Sequence, residues 1–382
     1  MNRDIDRPLG HEPAPARSTG MGVPGRRSAL AILGAAAIAT ASVALVMLRD
    51  DPFGTAPAVA LTVPMEAEPV PAAALPKVQA AAPDKNSPSI IQVARDEPAA
   101  SVIVIRDPSS VGQDPRVAHM PDRALIEESE HGPLPIRAAD GRRPVDVYAR
   151  PWSGAGGARI AIVIGGLALS QTGTQDAIAA LPPEVTLAFA PQGNSIDRWM
   201  QAARREGHEI VMQVPLEPYD YPNVDPGRNT LTVDASSEEN LNSLRWALAR
   251  TTNYTGVMNY MGARFSADGE AMAPLMAELG ERGLLYLDDG SSARSVAATL
   301  AEGNAVPFAA SDTAIDEARE RGEILKKLDE LERTARAKGF AIGHGSAFDV
   351  TIEAVAAWVG EAKKRGIEIV PVSALVSDPD RS

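Results

Sequence analysis

The chain has 382 residues, no cysteine, and 50 acidic against 37 basic side chains, for a formal net charge of -13. That acidic balance excludes a nucleic-acid binder, whose phosphate-facing surface would be basic. The absence of cysteine excludes a disulfide framework, a thiolate metal site and a cysteine nucleophile.

Residues 1–27 are polar, rich in Pro and Gly, and end in Arg26-Arg27. Ser28–Leu48 then contains no charged residue. As a helix it would reach roughly 31 Å, about one hydrocarbon thickness. Arginines before it and Asp50-Asp51 after it predict a single transmembrane helix over 28–48, with the short tail 1–27 in the cytoplasm and the rest of the chain across the membrane. A twin-arginine signal peptide is the competing reading. The apolar run is longer than a signal h-region, which favours the uncleaved anchor. Residues 49–130 are dominated by Ala, Pro and acidic side chains, with no aromatic between Phe53 and Tyr148. Such a stretch buries too little apolar surface to offset its ordering entropy and is predicted to be a disordered tether.

A folded domain is expected over 131–377. Its first strong element is the apolar run Ile160–Ile164, closed by Gly165-Gly166, which reads as a strand buried on both faces. Strands are then predicted at Val185–Ala190, Glu209–Val214, Gly256–Asn259, Leu284–Leu287, Val306–Ala309, Phe340–Ile342 and Ile367–Val370. Helices are predicted between them near Thr172–Leu181, Ser195–Glu206, Asp268–Arg282, Asp316–Lys338 and Thr351–Arg365. A further helix starts at Ser236, where Ser236 and Glu239 have the spacing of a capping box. Leu241, Leu244 and Leu248 give that helix one apolar face. About eight alternating strand–helix units predict an α/β fold built on a parallel sheet. No G-x-G-x-x-G follows the first strand, so a (β/α) barrel is favoured over a dinucleotide-binding sheet.

In such folds ligands gather at the carboxyl ends of the strands. Those ends carry Gly165-Gly166, Gln213 with Glu217, Asn259-Tyr260 with Arg264, Asp288-Asp289, Asp312, His344 with Ser346, and Ser373. Asp288, Asp289, Glu217 and His344 are the catalytic candidates, because carboxylates and one imidazole could divide acid and base roles. Gln213, Asn259, Tyr260, Arg264 and Ser346 are the candidates for binding substrate. Asp288 and Asp289 precede Gly290-Ser291-Ser292, so a capping role competes with a catalytic one. A serine-hydrolase reading of Gly343-His344-Gly345-Ser346 fails, since this is no G-x-S-x-G elbow. His208, at a helix–strand junction, is expected to be structural.

The segments IAIVIGGLALS, VTLAFAP, GHEIVMQVPLEP, NLNSLRWALAR, GVMNYMGARF, RGLLYLDDGSS and IVPVSAL together resemble the divergent polysaccharide deacetylase family of bacterial envelope proteins. The resemblance implies a distorted deacetylase-type (β/α) barrel, of the kind shared with glycoside hydrolases, and a connection to carbohydrate. It also implies a periplasmic domain held at the bacterial inner membrane through 28–48. Members with a plausible metal site have I-D-D after the first strand, H-L-P after the third and N-H-M-G after the fourth. Here the corresponding positions are Gly165, Gly166, Gln213 and Tyr260. A divalent metal such as zinc is therefore disfavoured and no cofactor is predicted, which leaves open whether any catalysis remains. The expected role is binding of an envelope glycan or an envelope protein. The alternatives are a hydrolase with a relocated carboxylate and histidine site, and a scaffold centred on the tether.

Overall fold

The computed structural model describes residues 116–381. The anchor expected at 28–48, and the tether up to residue 115, lie outside the described residues. Among the described residues no helix is long and apolar enough to cross a membrane.

Ordered structure begins ahead of the boundary expected at residue 131. Strand β1 (Ile126–Ser129) pairs antiparallel with β2 (Gly132–Pro135). Gly132, at φ 116, makes the turn, and Ser129 Oγ donates to its carbonyl at 2.8 Å. The lead-in is pinned by Tyr148, which is fully buried and accepts from the Asp122 amide at 3.1 Å. Helix α1 (Pro144–Val147) precedes the main sheet.

The domain proper alternates as expected. In chain order it runs β3 (Arg159–Leu167), α2 (Gln171–Ala180), β4 (Thr186–Phe189), α3 (Ile196–Arg205), β5 (Ile210–Leu216), α4 (Ser237–Leu248), β6 (Gly256–Met261), α5 (Gly269–Arg282) and β7 (Leu285–Asp288). It continues with α6 (Ala297–Gly303), β8 (Phe308–Ala310), β9 (Thr313–Ala314), α7 (Arg321–Lys338), β10 (Phe340–Ser346), α8 (Asp349–Lys364) and β11 (Glu368–Ile369). The helix ends carry the expected signals. Ser236 and Glu239 form the capping box of α4, and Gly283 ends α5 in the left-handed conformation that glycine adopts without steric penalty. Helix α6 follows Gly290-Ser291-Ser292, where a helix was expected, whereas α1, β9 and the β1–β2 hairpin had no counterpart in the sequence reading.

All pairings in the main sheet are parallel, in the order β8-β7-β6-β5-β4-β3-β10-β9, with β11 also pairing β3. The sheet curls into a half-barrel with the helices on its outer face. The chain crosses from β8 to β9 through Ser311 and Asp312, whose amides donate to Asp288 O at 2.8 Å and Ile342 O at 2.7 Å.

The period of two along each strand divides the apolar residues into two cores. Ile160, Ile162 and Ile164 of β3, with Ile210, Met212 and Val214 of β5, pack outward against the helices. Ala161 and Val163, with Val211, Met258, Leu285, Leu287 and Ile342, fill the concave side. That inner core occupies the lower part of the concavity, so the next inward-facing residue of each strand lies at the carboxyl end above it.

Candidate functional site

Extending the alternation by one step gives the site. After Val163 the next inward residue is Gly165, after Val211 it is Gln213, after Met258 it is Tyr260, after Leu287 it is Asp289, and after Ile342 it is His344. All five line one cleft of about 770 Å³ at the carboxyl ends of the strands. Its size is that of a small-molecule site. Tyr260 is 38% exposed and Leu169 57%, so the rim is partly apolar.

Gln213 and the paired glycines act as one unit. The Gly166 amide donates to Gln213 Oε1 at 2.8 Å. A Cβ added at Gly165 would stand 2.6 Å from Gln213 Nε2. The amide of Gln213 thus occupies the space that a side chain at 165 would need. Gly166, at φ 78, holds a conformation that an L side chain rarely adopts.

A second unit is built on Asn259. Its Nδ2 donates to Asp289 Oδ1 at 2.6 Å and to Met261 O at 2.7 Å, while its Oδ1 accepts from the Asp289 amide at 2.8 Å. Met261 is a non-glycine residue in the left-handed region, at φ 59; backbone of this kind persists where surrounding structure enforces it. Asp289 Oδ1 also accepts from the Ser291 amide at 2.8 Å. Across the cleft, His344 Nδ1 lies 2.8 Å from Ser311 Oγ, and Nε2 makes no hydrogen bond to protein. Sequence reading passed over Ser311; only the chain crossing between β8 and β9 brings it beneath His344.

Burial pushes the Asp289 carboxyl above the usual aspartate range, against hydrogen bonds from Ser291 and Asn259 and the field of His344, all of which pull it down. Burial also holds His344 below the usual histidine value, opposed by the charges of Asp289, Asp316 and Glu317. A raised carboxyl contributes stability that is present below its unfolded value of about 4 and is lost as pH rises through its folded value. Ionised Asp289 is therefore a cost at neutral pH. Asp289→Asn, which keeps an acceptor for Ser291 and Asn259, is expected to be more stable than the wild type at neutral pH. The gain should vanish on acidification to about pH 4, as urea midpoints across that range would show. A variant less stable than wild type at neutral pH would mean that the carboxylate charge is a net structural support.

The remaining candidates divide. Ser346 lines the cleft, and its amide donates to Asp316 Oδ2 at 2.7 Å. Asp288 has the opposite parity to Asp289 and is buried away from the cleft, accepting from the Gly290 amide at 2.8 Å and Ser295 Oγ at 2.6 Å. Glu217 is buried behind the loop after β5, where Oε2 accepts from the Val233 amide at 2.6 Å and Oε1 from Arg264. Arg264 also reaches Asp234 at 3.2 Å, so it closes a loop and does not line the cleft. Asp312 accepts from the Ile342 amide and pairs with Lys338. Ser373 lies near the amino end of β5, its amide donating to Glu209 Oε1 at 3.0 Å. His208 is buried, its ring nitrogens 2.9 Å from Val185 O and 3.3 Å from Ile178 O.

A family model described as "Divergent polysaccharide deacetylase" matches residues 162–376, from β3 to the segment after β11. The chain belongs to this family. The uncharacterized protein YibQ of Escherichia coli is 23% identical over 205 residues, 54% of this chain and 63% of that one. An uncharacterized protein of Haemophilus influenzae is 26% identical over 169 residues, 44% of this chain and 60% of that one. The chain thus spans about three fifths of the length of these curated relatives. A crystal structure of an uncharacterized Agrobacterium tumefaciens protein superposes with a TM-score of 0.63 at 56% identity, covering 64% of this chain and 100% of that one.

The divergent polysaccharide deacetylase family is normally metal-dependent, and the residues present here do not fit a metal. Where aspartates would stand are Gly165 and Gly166, without side-chain donors. The Gln213 carbonyl is already engaged by the Gly166 amide, and Gln213 Nε2 fills the space of a ligand at 165. Neutral amide and phenol are poor substitutes for imidazole and carboxylate. Among the described residues, no three His, Cys, Asp or Glu side chains converge as a metal site would require.

Proposed function

We propose that this divergent polysaccharide deacetylase-like domain recognises an envelope glycan without metal, on a deacetylase-type barrel held at the inner membrane through 28–48 and carried into the periplasm by the tether. The observation that carries the reading is Gln213: it fills the space above Gly165 and leaves a polar cleft where the family's metal chemistry would stand. The rest of the lining suits a saccharide. Tyr260 offers a partly exposed ring for a sugar face, and the Gln213 Nε2 amide group with the Ser291 and Ser346 hydroxyls offers polar groups for sugar hydroxyls.

Titration calorimetry of the full chain against a panel of glucosamine and N-acetylglucosamine oligomers tests this. Binding to at least one oligomer is expected, unchanged by chelator, and weakened about tenfold in Tyr260→Ala. Bound zinc together with acetate release that stops on chelation would overturn it.

One observation favours a second reading, that of a metal-free hydrolase: Asp289 and His344 line the same cleft, and His344 Nε2 makes no hydrogen bond to protein. In that reading they would supply acid and base to a water. Turnover of any panel member that is lost in His344→Gln, with binding retained, would select it.

A further inference from the structure

The charge around the cleft narrows the ligand. Four carboxylates line it, Asp289, Asp316, Glu317 and Asp349, and no Lys or Arg does. The nearby cation Arg319 stacks on the Phe348 ring, 3.9 Å from its centroid, and is not part of the lining. Elsewhere in the domain several partly buried acids are paired with arginine, while the buried Glu209 and Asp288 are held by hydrogen bonds alone. Glu278 is held by Arg245 and Arg282, Glu332 by Arg336 and Arg365, Glu217 by Arg264, and Asp146 by Arg143 and Arg381. The cleft acids have no arginine or lysine beside them in the lining. Asp316 is occupied by the Ser346 amide and by Thr351 Oγ1 at 3.0 Å. Asp289 is held only by neutral donors, Asn259 and Ser291, while Glu317 and Asp349 stand exposed at the mouth without a protein hydrogen bond.

From this juxtaposition we infer that the cleft selects a saccharide carrying free, protonated amines, that is, a deacetylated amino-sugar oligomer, over its N-acetylated counterpart. The inference rests on the glycan-recognition reading above. Its physical basis is that an ammonium meeting Asp289 and the mouth carboxylates forms charge-assisted hydrogen bonds that a neutral acetamido group cannot form. A partly buried carboxylate with no lysine or arginine beside it has lost hydration without a compensating ion pair, so a cationic ligand recovers the attraction. Burial raises the Asp289 carboxyl in the direction expected of such an uncompensated acid. An anionic glycan meets four like charges and is rejected. A deacetylase-type fold would then read the product of a deacetylation that another enzyme performs.

The experiment is titration of the full chain, at about pH 6 and low salt, with a glucosamine tetramer, an N-acetylglucosamine tetramer and tetralysine. The amine sugar is expected to bind about tenfold more tightly than the acetylated one, with the preference shrinking as salt is raised. Glu317→Gln, an exposed change with no structural partner, should reduce that preference, and Asp289→Asn should reduce it further, to about twofold or less. Equal binding of the two sugars would overturn the inference and leave glycan recognition standing. Failure of both sugars to bind would overturn both readings. Tetralysine binding as tightly as the amine sugar would also overturn the inference, since attraction by the chain's net charge of -13 would then suffice.

Discussion

Gly256→Ala is expected to cost more than about 3 kcal/mol of stability and to lower the yield of soluble protein. Gly256 opens β6 opposite Leu285 of β7. A Cβ there would stand 2.5 Å from Leu285 Cγ and 2.6 Å from Leu285 N, and would also overlap Leu285 O. Two of those atoms are backbone in the adjoining strand. They cannot yield without breaking the β6–β7 register on which Tyr260 and Asp289 both depend. Gly360→Ala is the control. Gly360 is exposed in the interior of α8 with nothing near its added methyl group, so alanine should raise stability by up to about 1 kcal/mol. Urea unfolding of both variants measures the contrast. Equal midpoints would mean that β7 moves away from β6 without penalty.

Glu217→Ala is expected to destabilise by about 2–3 kcal/mol without removing a catalytic group. The buried Glu217 carboxylate joins the loop after β5 to the loop after β6. It receives the Val233 amide, and its own backbone carbonyl receives the amides of Arg264 at 3.2 Å and Phe265 at 3.1 Å. Truncation strands the Val233 amide and leaves a void. The Arg264 guanidinium is 37% exposed and can turn toward water and Asp234, so it adds little to the cost. Glu217→Gln, which keeps an acceptor, should lose less. An alanine variant with an unchanged urea midpoint but abolished turnover of a glycan would show instead that Glu217 is a catalytic group.

Together the two variants separate what holds the cleft from what forms it. Asp288 and Glu217 attracted attention as acids near strand ends, yet both serve loop backbone. The pattern that separates Asp288 from Asp289 was present in Leu285-Tyr286-Leu287-Asp288-Asp289. With Leu285 and Leu287 inward, the period of two sends Asp289 to the cleft and Asp288 to the outer side, where it caps the following turn. The same count brings Gly165, Gln213, Tyr260 and His344 to one surface. Ser311 had no such signal, because β8 and β9 are too short to show a period and their join depends on hydrogen bonds to β7 and β10. Ser373 was misplaced for a related reason: the final turn after β11 folds back toward Glu209 at the other end of the sheet.

Local rules sufficed for the alternating strands and helices, the capping box at Ser236, the glycine stop at Gly283 and the departure of residues 165, 166, 213 and 260 from a metal-binding set. Each is set by backbone preference, side-chain period or the donor atoms a residue carries, and all of these are properties of short stretches. Tertiary structure decided how those residues meet. The Gln213 amide filling the space above Gly165, Asn259 bracing Asp289 against the left-handed Met261, and four carboxylates sharing a cleft without an arginine all join strands far apart in sequence. They depend on the curl of the sheet and the register between strands, because hydrogen bonding and electrostatics act over a few ångströms of space regardless of distance along the chain.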